Sequence, residues 1–94
     1  MAIIFSQAVR EKLAVKHGVS EDEVRECFAN KIGQYLQDPR EDHKTDPPTL
    51  WFVAETNFGK RLKVIFVYRD GNIFIKSAYL ADKDAIRIYD SIGK

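Results

Sequence analysis

A lone cysteine, Cys27, rules out an intrachain disulfide and leaves no thiolate cluster for a metal. No run of the chain approaches the ~18 apolar residues that a membrane-spanning helix needs. The opening MAIIF is too short for a secretory signal and lacks its basic region, so a cytoplasmic location and no membrane partner are expected. The formal net charge is only +1, so any electrostatic preference must come from where charges sit. Internal repeats are absent. Ninety-four residues predict one domain, 1–94, with a single core of modest stability.

What is present is a hairpin. Residues 59–80 read GKRLKVIFVYRDGNIFIKSAYL, two alternating runs joined by Asp70-Gly71. A two-residue type I′ turn needs positive φ at both central positions, and Asp-Gly supplies it. Such a turn pairs Arg69 with Asn72, Val67 with Phe74, Ile65 with Lys76 and Lys63 with Ala78. Directly paired residues share a face. Leu62, Val64, Phe66, Tyr68, Ile73, Ile75, Ser77 and Tyr79 then form a core face. Arg61, Lys63, Ile65, Val67, Arg69, Phe74 and Lys76 form a cationic face with an apolar stripe. A slip of one residue would exchange the faces of one strand.

Charge supports that division. Residues 20–46 are mostly acidic, with Glu21, Asp22, Glu23, Glu26, Asp38, Glu41, Asp42 and Asp46. Residues 57–79 hold Lys60, Arg61, Lys63, Arg69 and Lys76 against Asp70 alone. A basic sheet beside an acidic shoulder suits a polyanion or a partner of inverse pattern. The plain alternative is a solvated outer face blunted by lysines.

Around the hairpin, Ala2–Phe5 is a short strand or an extended lead-in. Ser6 caps a helix running to His17, and Gly18 ends it as a left-handed residue. Ser20-Glu21-Asp22-Glu23 is a capping box, and Val19 with Val24 has the spacing of a hydrophobic staple. This second helix ends near Asn30 and buries Val24, Cys27 and Phe28. Cys27 reads as a small core residue. Residues 33–48 form a loop with a short edge strand at Tyr35-Leu36, and His43 within it reads as a surface histidine. Leu50–Thr56 is a strand, Asn57-Phe58-Gly59-Lys60 a turn, and Asp82 the cap of a last helix bearing Ala85, Ile86 and Tyr89. The order predicts an α+β fold: two N-terminal helices packed on a three- to four-stranded antiparallel sheet with a short C-terminal helix, the helices on one face. The helix–Gly–helix segment mimics a helix-turn-helix, but its second helix would present Glu21, Asp22 and Glu23 to phosphates, which repel them.

The run KHGVSEDEVRECF, followed by LWFVAET, GKRLKVIFVYRDG, IFIKSAYLA and IRIYD, resembles the small bacterial BrnT-type toxins over most of the chain. Relatives with the wording TDPPTLWF are often labelled ADP-ribosyl-(dinitrogen reductase) hydrolase. Enzymes truly of that name resemble large all-helical proteins with an aspartate-rich dinuclear metal site, which this chain does not. The BrnT resemblance implies a RelE/ParE-like fold, a ribonuclease or translation-blocking activity on RNA or the ribosome, no cofactor or metal, and a cognate antitoxin that covers the active surface. Lys16 and His17 match the family's Lys-His-Gly, and Arg61 (or Lys60) its arginine after glycine. Tyr79 stands where the pattern usually has arginine, which leaves a non-catalytic protein- or RNA-binding module of the same fold as the alternative.

Metal-independent RNA cleavage needs a base for the 2′-hydroxyl, cations for the phosphorane and an acid for the 5′-oxygen. Arg61, Arg69 and Lys76 are the candidate cations, and Lys60 and Lys63 add phosphate affinity. Phe74 is placed to stack a base. The base or acid is drawn from His17, Lys16, Glu55 and Tyr79.

Overall fold

The computed structural model describes residues 2–38 and 47–94. His43, read above as a surface histidine of the 33–48 loop, lies outside that range. The described chain forms β1 (Ile3–Ile4), α1 (Gln7–Glu11), α2 (Glu21–Asn30), β2 (Leu36–Gln37), β3 (Thr49–Glu55), β4 (Arg61–Arg69), β5 (Asn72–Leu80) and α3 (Lys83–Ile88). After α1 the helix widens into π-helical turns over Lys12–His17, and α3 does the same over Tyr89–Gly93.

The start and stop signals act as the sequence predicts. Ser6 Oγ accepts from the Val9 amide, and Gly18 ends the first helix at φ 63°. Both bonds of the Ser20/Glu23 capping box form. Val19 and Val24 are both buried, as a staple requires. Asp82 caps α3 through the Ala85 amide. Asp70 and Gly71 have φ of 54° and 79°, the two positive values that a type I′ turn demands.

The sheet departs from expectation in two respects. It has five strands in the order β1-β5-β4-β3-β2, and it is mixed rather than antiparallel, because β1 runs parallel to β5. The Ile73 amide donates to Ala2 O, and the Ala2 amide to Asn72 Oδ1. The hairpin edge thereby gains a strand from the far end of the chain.

Register also changes partway along β5. Arg69↔Asn72, Val67↔Phe74 and Phe66↔Ile75 pair as predicted, but Ile65 then meets Ser77 and Lys63 meets Tyr79. Lys76 is the extra residue of a β-bulge. A bulge exchanges the faces of everything beyond it. Ala78, predicted opposite the core, is fully buried within it. Ser77 and Tyr79, predicted in the core, belong instead to the face of Lys63 and Ile65. Tyr68, also predicted in the core, is 48% exposed near the turn.

Helices cover both faces, which corrects the expectation of a one-sided sheet. α2 lies over Phe52, Ala54 and Phe66, with Cys27 Sγ donating to Ala54 O. The Phe28 ring sits 4.7 Å from Phe52 and 5.4 Å from Phe66, both edge-on. Each such pair adds ~0.5–1.5 kcal/mol beyond the area it buries. The C-terminal segment covers the opposite face, where Tyr89 packs on Trp51 with ring centroids 5.9 Å apart. Trp51 and Val53 alternate with Phe52 and Ala54 along β3, and all four are buried. A strand apolar on both sides must be covered on both sides.

Tyr89 anchors this second layer. It is fully buried, and its hydroxyl donates to Gln34 O at 2.8 Å. Gly33 and Gly93 make room for it. A Cβ on Gly33 would stand 2.5 Å from both Gly93 O and the Tyr89 hydroxyl, and one on Gly93 would meet the Tyr89 ring.

Candidate nucleic-acid interface

The C-terminal layer covers β3 and leaves the β4–β5 part of its face half open. Lys63, Ile65, Val67, Phe74, Ser77 and Tyr79 are all partly exposed there. This strip is cationic, aromatic and apolar in alternation. Its geometry follows from the ladder, in which Val53, Lys63 and Tyr79 form one rung across three strands. Lys63 Nζ lies 4.6 Å from the centre of the Trp51 ring. Such cation–π placement orients the ammonium over the ring.

His17 reaches this rung from the last π-helical turn before Gly18. Its ring centroid is 5.4 Å from that of Tyr79. The bulge at Lys76 makes the meeting possible, because the same residues paired in unbroken register would turn Tyr79 into the core. Two further contacts fix the helix against the sheet: Lys12 Nζ donates to Lys76 O at 2.7 Å, and Lys60 Nζ donates to Gly18 O at 3.0 Å. Lys60 also pairs with Glu23 at 3.4 Å. Its ammonium thus holds the junction of the two helices to the start of β4.

Arg61 begins β4 on the same face as Lys63, about 7 Å along the strand at ~3.3 Å per residue. Its guanidinium pairs with Glu55 across the ladder at 3.2 Å, and both side chains are about half exposed. Arg61 also borders a cleft of about 420 Å³ between the ends of α2 and β3 and the C-terminal turns.

The predicted site residues therefore divide into groups. His17, Tyr79 and Lys63 come together, with Arg61 and Glu55 beside them. Arg69 lies at the other end of β4, about 26 Å from Arg61 by the same rise per residue, so the two cannot meet at one phosphate. Its guanidinium sits 4.7 Å over the Phe74 ring, so one face of that ring is already occupied. Lys76 sits on the bulge and is exposed, and Lys16 is exposed on the last helical turn. Sequence reasoning gave no role to Trp51 under Lys63, nor to Asn30 and Asn57 in the cleft, nor to Phe58, the next residue along the chain. The continuous apolar run LWFVA was the available signal that Trp51 faces a second layer.

Elsewhere, burial pushes the Cys27 thiol up to about 12, with Glu23 and Glu26 adding to the shift. That describes an inert core thiol. Among the described residues, no group of three or more His, Cys, Asp or Glu is placed to hold a metal ion, and no helix is long and apolar enough to cross a membrane.

No family model matches this chain, and no curated protein does. Its architecture is a known one: a small α+β domain of the BrnT type. The crystal structure of the Brucella abortus ribonuclease toxin BrnT superposes on it with a TM-score of 0.66, covering 88% of this chain and 99% of that one. Identity is 21%, so the likeness is one of fold. The resemblance suggested by KHGVSEDEVRECF thus extends to the three-dimensional arrangement of nearly the whole domain.

Proposed function

We propose that this protein is a toxin-like, metal-independent ribonuclease that acts through the half-open face of β4 and β5. The observation that carries the reading is the His17–Tyr79 contact, 5.4 Å between centroids, on the rung that holds Lys63. Two proton-transfer groups beside two cations on an aromatic sheet face are the parts that RNA cleavage by its own 2′-hydroxyl requires. The fold shared with a ribonuclease toxin agrees with it.

His17 takes the proton of the 2′-hydroxyl, the role that histidine fills most often in general acid–base catalysis. The 2′-oxygen attacks phosphorus, and the bond to the 5′-oxygen breaks. Lys63 and Arg61 offset the charge that builds on the phosphoryl oxygens. Tyr79 donates its phenolic proton to the departing 5′-oxygen. The products are a 2′,3′-cyclic phosphate and a 5′-hydroxyl. A cognate antitoxin covering this face in the cytoplasm completes the proposal.

Purified protein incubated with labelled mixed RNA in EDTA tests it, beside His17→Ala, Tyr79→Phe and Lys63→Ala. Cleavage is expected from the parent. Each substitution at His17 or Tyr79 should lower it by about 10²-fold or more, the usual worth of a positioned acid or base. Undiminished cleavage by both variants would place the chemistry elsewhere. Tyr79, in place of the arginine of the BrnT-type pattern, favours a second reading, a binding module. A folded parent that retains RNA on a filter without cutting it would select that reading.

A further inference from the structure

We infer that the cleft at the start of β4 is a nucleotide subsite, which takes one single-stranded RNA residue flanking the cleaved bond. The choice of RNA as the polymer rests on the ribonuclease reading. The cleft's complementarity to a nucleotide rests on its own residues.

The first feature is a pair of oriented amides. Asn30 Nδ2 donates to Glu55 O at 2.9 Å and to Asn57 Oδ1 at 3.0 Å. A carbonyl accepts only from an N–H, so the Asn30 amide has one possible orientation, and it sets that of Asn57. Asn30 is left with a free carbonyl oxygen and Asn57 with a free NH₂, among the described residues. Both line the cleft. Side by side they offer one acceptor and one donor, the complement of a base edge. The backbone N–H of Asn57 donates to Glu26 at 2.9 Å, which ties the turn that carries Asn57 to α2.

The second feature is Phe58, which is 96% exposed. It stands on a braced turn. The Thr56 amide donates to Lys60 O, the Gly59 amide to Thr56 O, and the Lys60 amide to Thr56 Oγ1. Thr56 itself is buried, and Gly59 takes the positive φ of 84°. A braced turn that exposes an aromatic ring one residue along the chain from Asn57 presents a platform for base stacking. Stacking on such a ring tightens the hold on any base, since every base has a π-face.

The third feature is charge. Arg61 and Lys94 border the cleft, each in an exposed ion pair, with Glu55 and Asp90 respectively. Exposed pairs are weak, so a phosphate can displace either carboxylate. A volume of about 420 Å³ is within the range of small-ligand pockets. Arg61 then serves both the subsite and the neighbouring rung of Lys63, which sets the cleft one nucleotide from the proposed chemistry.

The test is a titration of ¹⁵N-labelled protein with the four ribonucleoside 5′-monophosphates, with inorganic phosphate as the control. Phe58→Ala and Asn57→Asp are titrated alongside. Asn57→Asp keeps the oxygen that accepts from Asn30 but turns the outward donor into an acceptor. Shifts are expected at Asn57, Phe58 and Arg61. Phe58→Ala should weaken binding at least five-fold, and Asn57→Asp should reorder the four nucleotides. Shifts reproduced by phosphate alone, shifts confined to the β4–β5 strip, or equal binding by Phe58→Ala would each overturn the inference. So would a Phe58→Ala variant impaired only in capturing a protein partner. Nucleotide shifts at the cleft in a protein that cuts no RNA would sink the ribonuclease reading and uphold the subsite.

Discussion

Deleting Lys76 should leave this protein folded. Phe66↔Ile75 and Ile65↔Ser77 flank the bulge, so removal of the extra residue joins two stretches already in register. Ala78 stays in the core and Tyr79 stays opposite Lys63. What is lost is the bond from Lys12 Nζ to the Lys76 carbonyl, worth about 1 kcal/mol for a partly exposed charged donor. A domain of this size loses about 4–8 °C in Tm per kcal/mol, so a drop of that order is expected. Deleting Ile65 is the contrast. It sits at a regular ladder position, and its loss turns Leu62 and Val64 outward, both fully buried. At ~1.5–3 kcal/mol each, with Arg61 and Lys63 forced inward, that exhausts most of a typical 5–15 kcal/mol. Thermal unfolding followed by near-UV circular dichroism separates the two. If deletion of Lys76 unfolds the chain as deletion of Ile65 does, the bulge and the placement of Tyr79 are wrong.

Cys27 should resist alkylation at pH 8 until the chain unfolds, in keeping with a thiol pushed up to about 12. Its folded value lies above its unfolded one, so its contribution is intact below about pH 9 and declines as pH rises toward 12. Burial raises Tyr35 and Tyr89 in the same direction. Urea unfolding across that window should show falling stability, and Cys27→Ala should flatten its lower part. Glu23 has the opposite sign, because the Ser20 amide holds its carboxylate low. That contribution is present above the ordinary glutamate range and lost as pH falls through the depressed folded value, and Glu23→Gln should remove this acid sensitivity. Ser20→Ala should lose about 1 kcal/mol at neutral pH. Gly33→Ala should be more damaging, since its Cβ would meet backbone at Gly93 as well as the Tyr89 hydroxyl; a Tm within 2 °C of the parent would refute that close approach.

Local chemistry was the legible part of this fold. Ser6, Gly18, the Ser20/Glu23 box, Asp70-Gly71 and Asp82 act within a few residues of themselves, and each does what its type predicts. The bulge was not legible, because IFIKSAY alternates just as well without it. What selects the bulge is that Ala78 fits fully buried in the core, while Tyr79 stays partly exposed. The parallel strand was equally hidden, since two isoleucines carry no sign of a partner so remote. The site followed the same rule. Its residue types were evident, but their grouping depended on register, and Arg69 fell away once distance along β4 was counted.

The parallel pairing of β1 also sets an order of assembly. The Ala2 amide is bonded to a side chain 70 positions further along. A contact of that span forms only after the hairpin that receives it, since closing a long loop is entropically costly and long-range pairing is slow. The helix that brings His17 follows β1 directly in the chain. The His17–Tyr79 pair, which also spans most of the chain, is therefore expected to form late, alongside the docking of the first strand against the last.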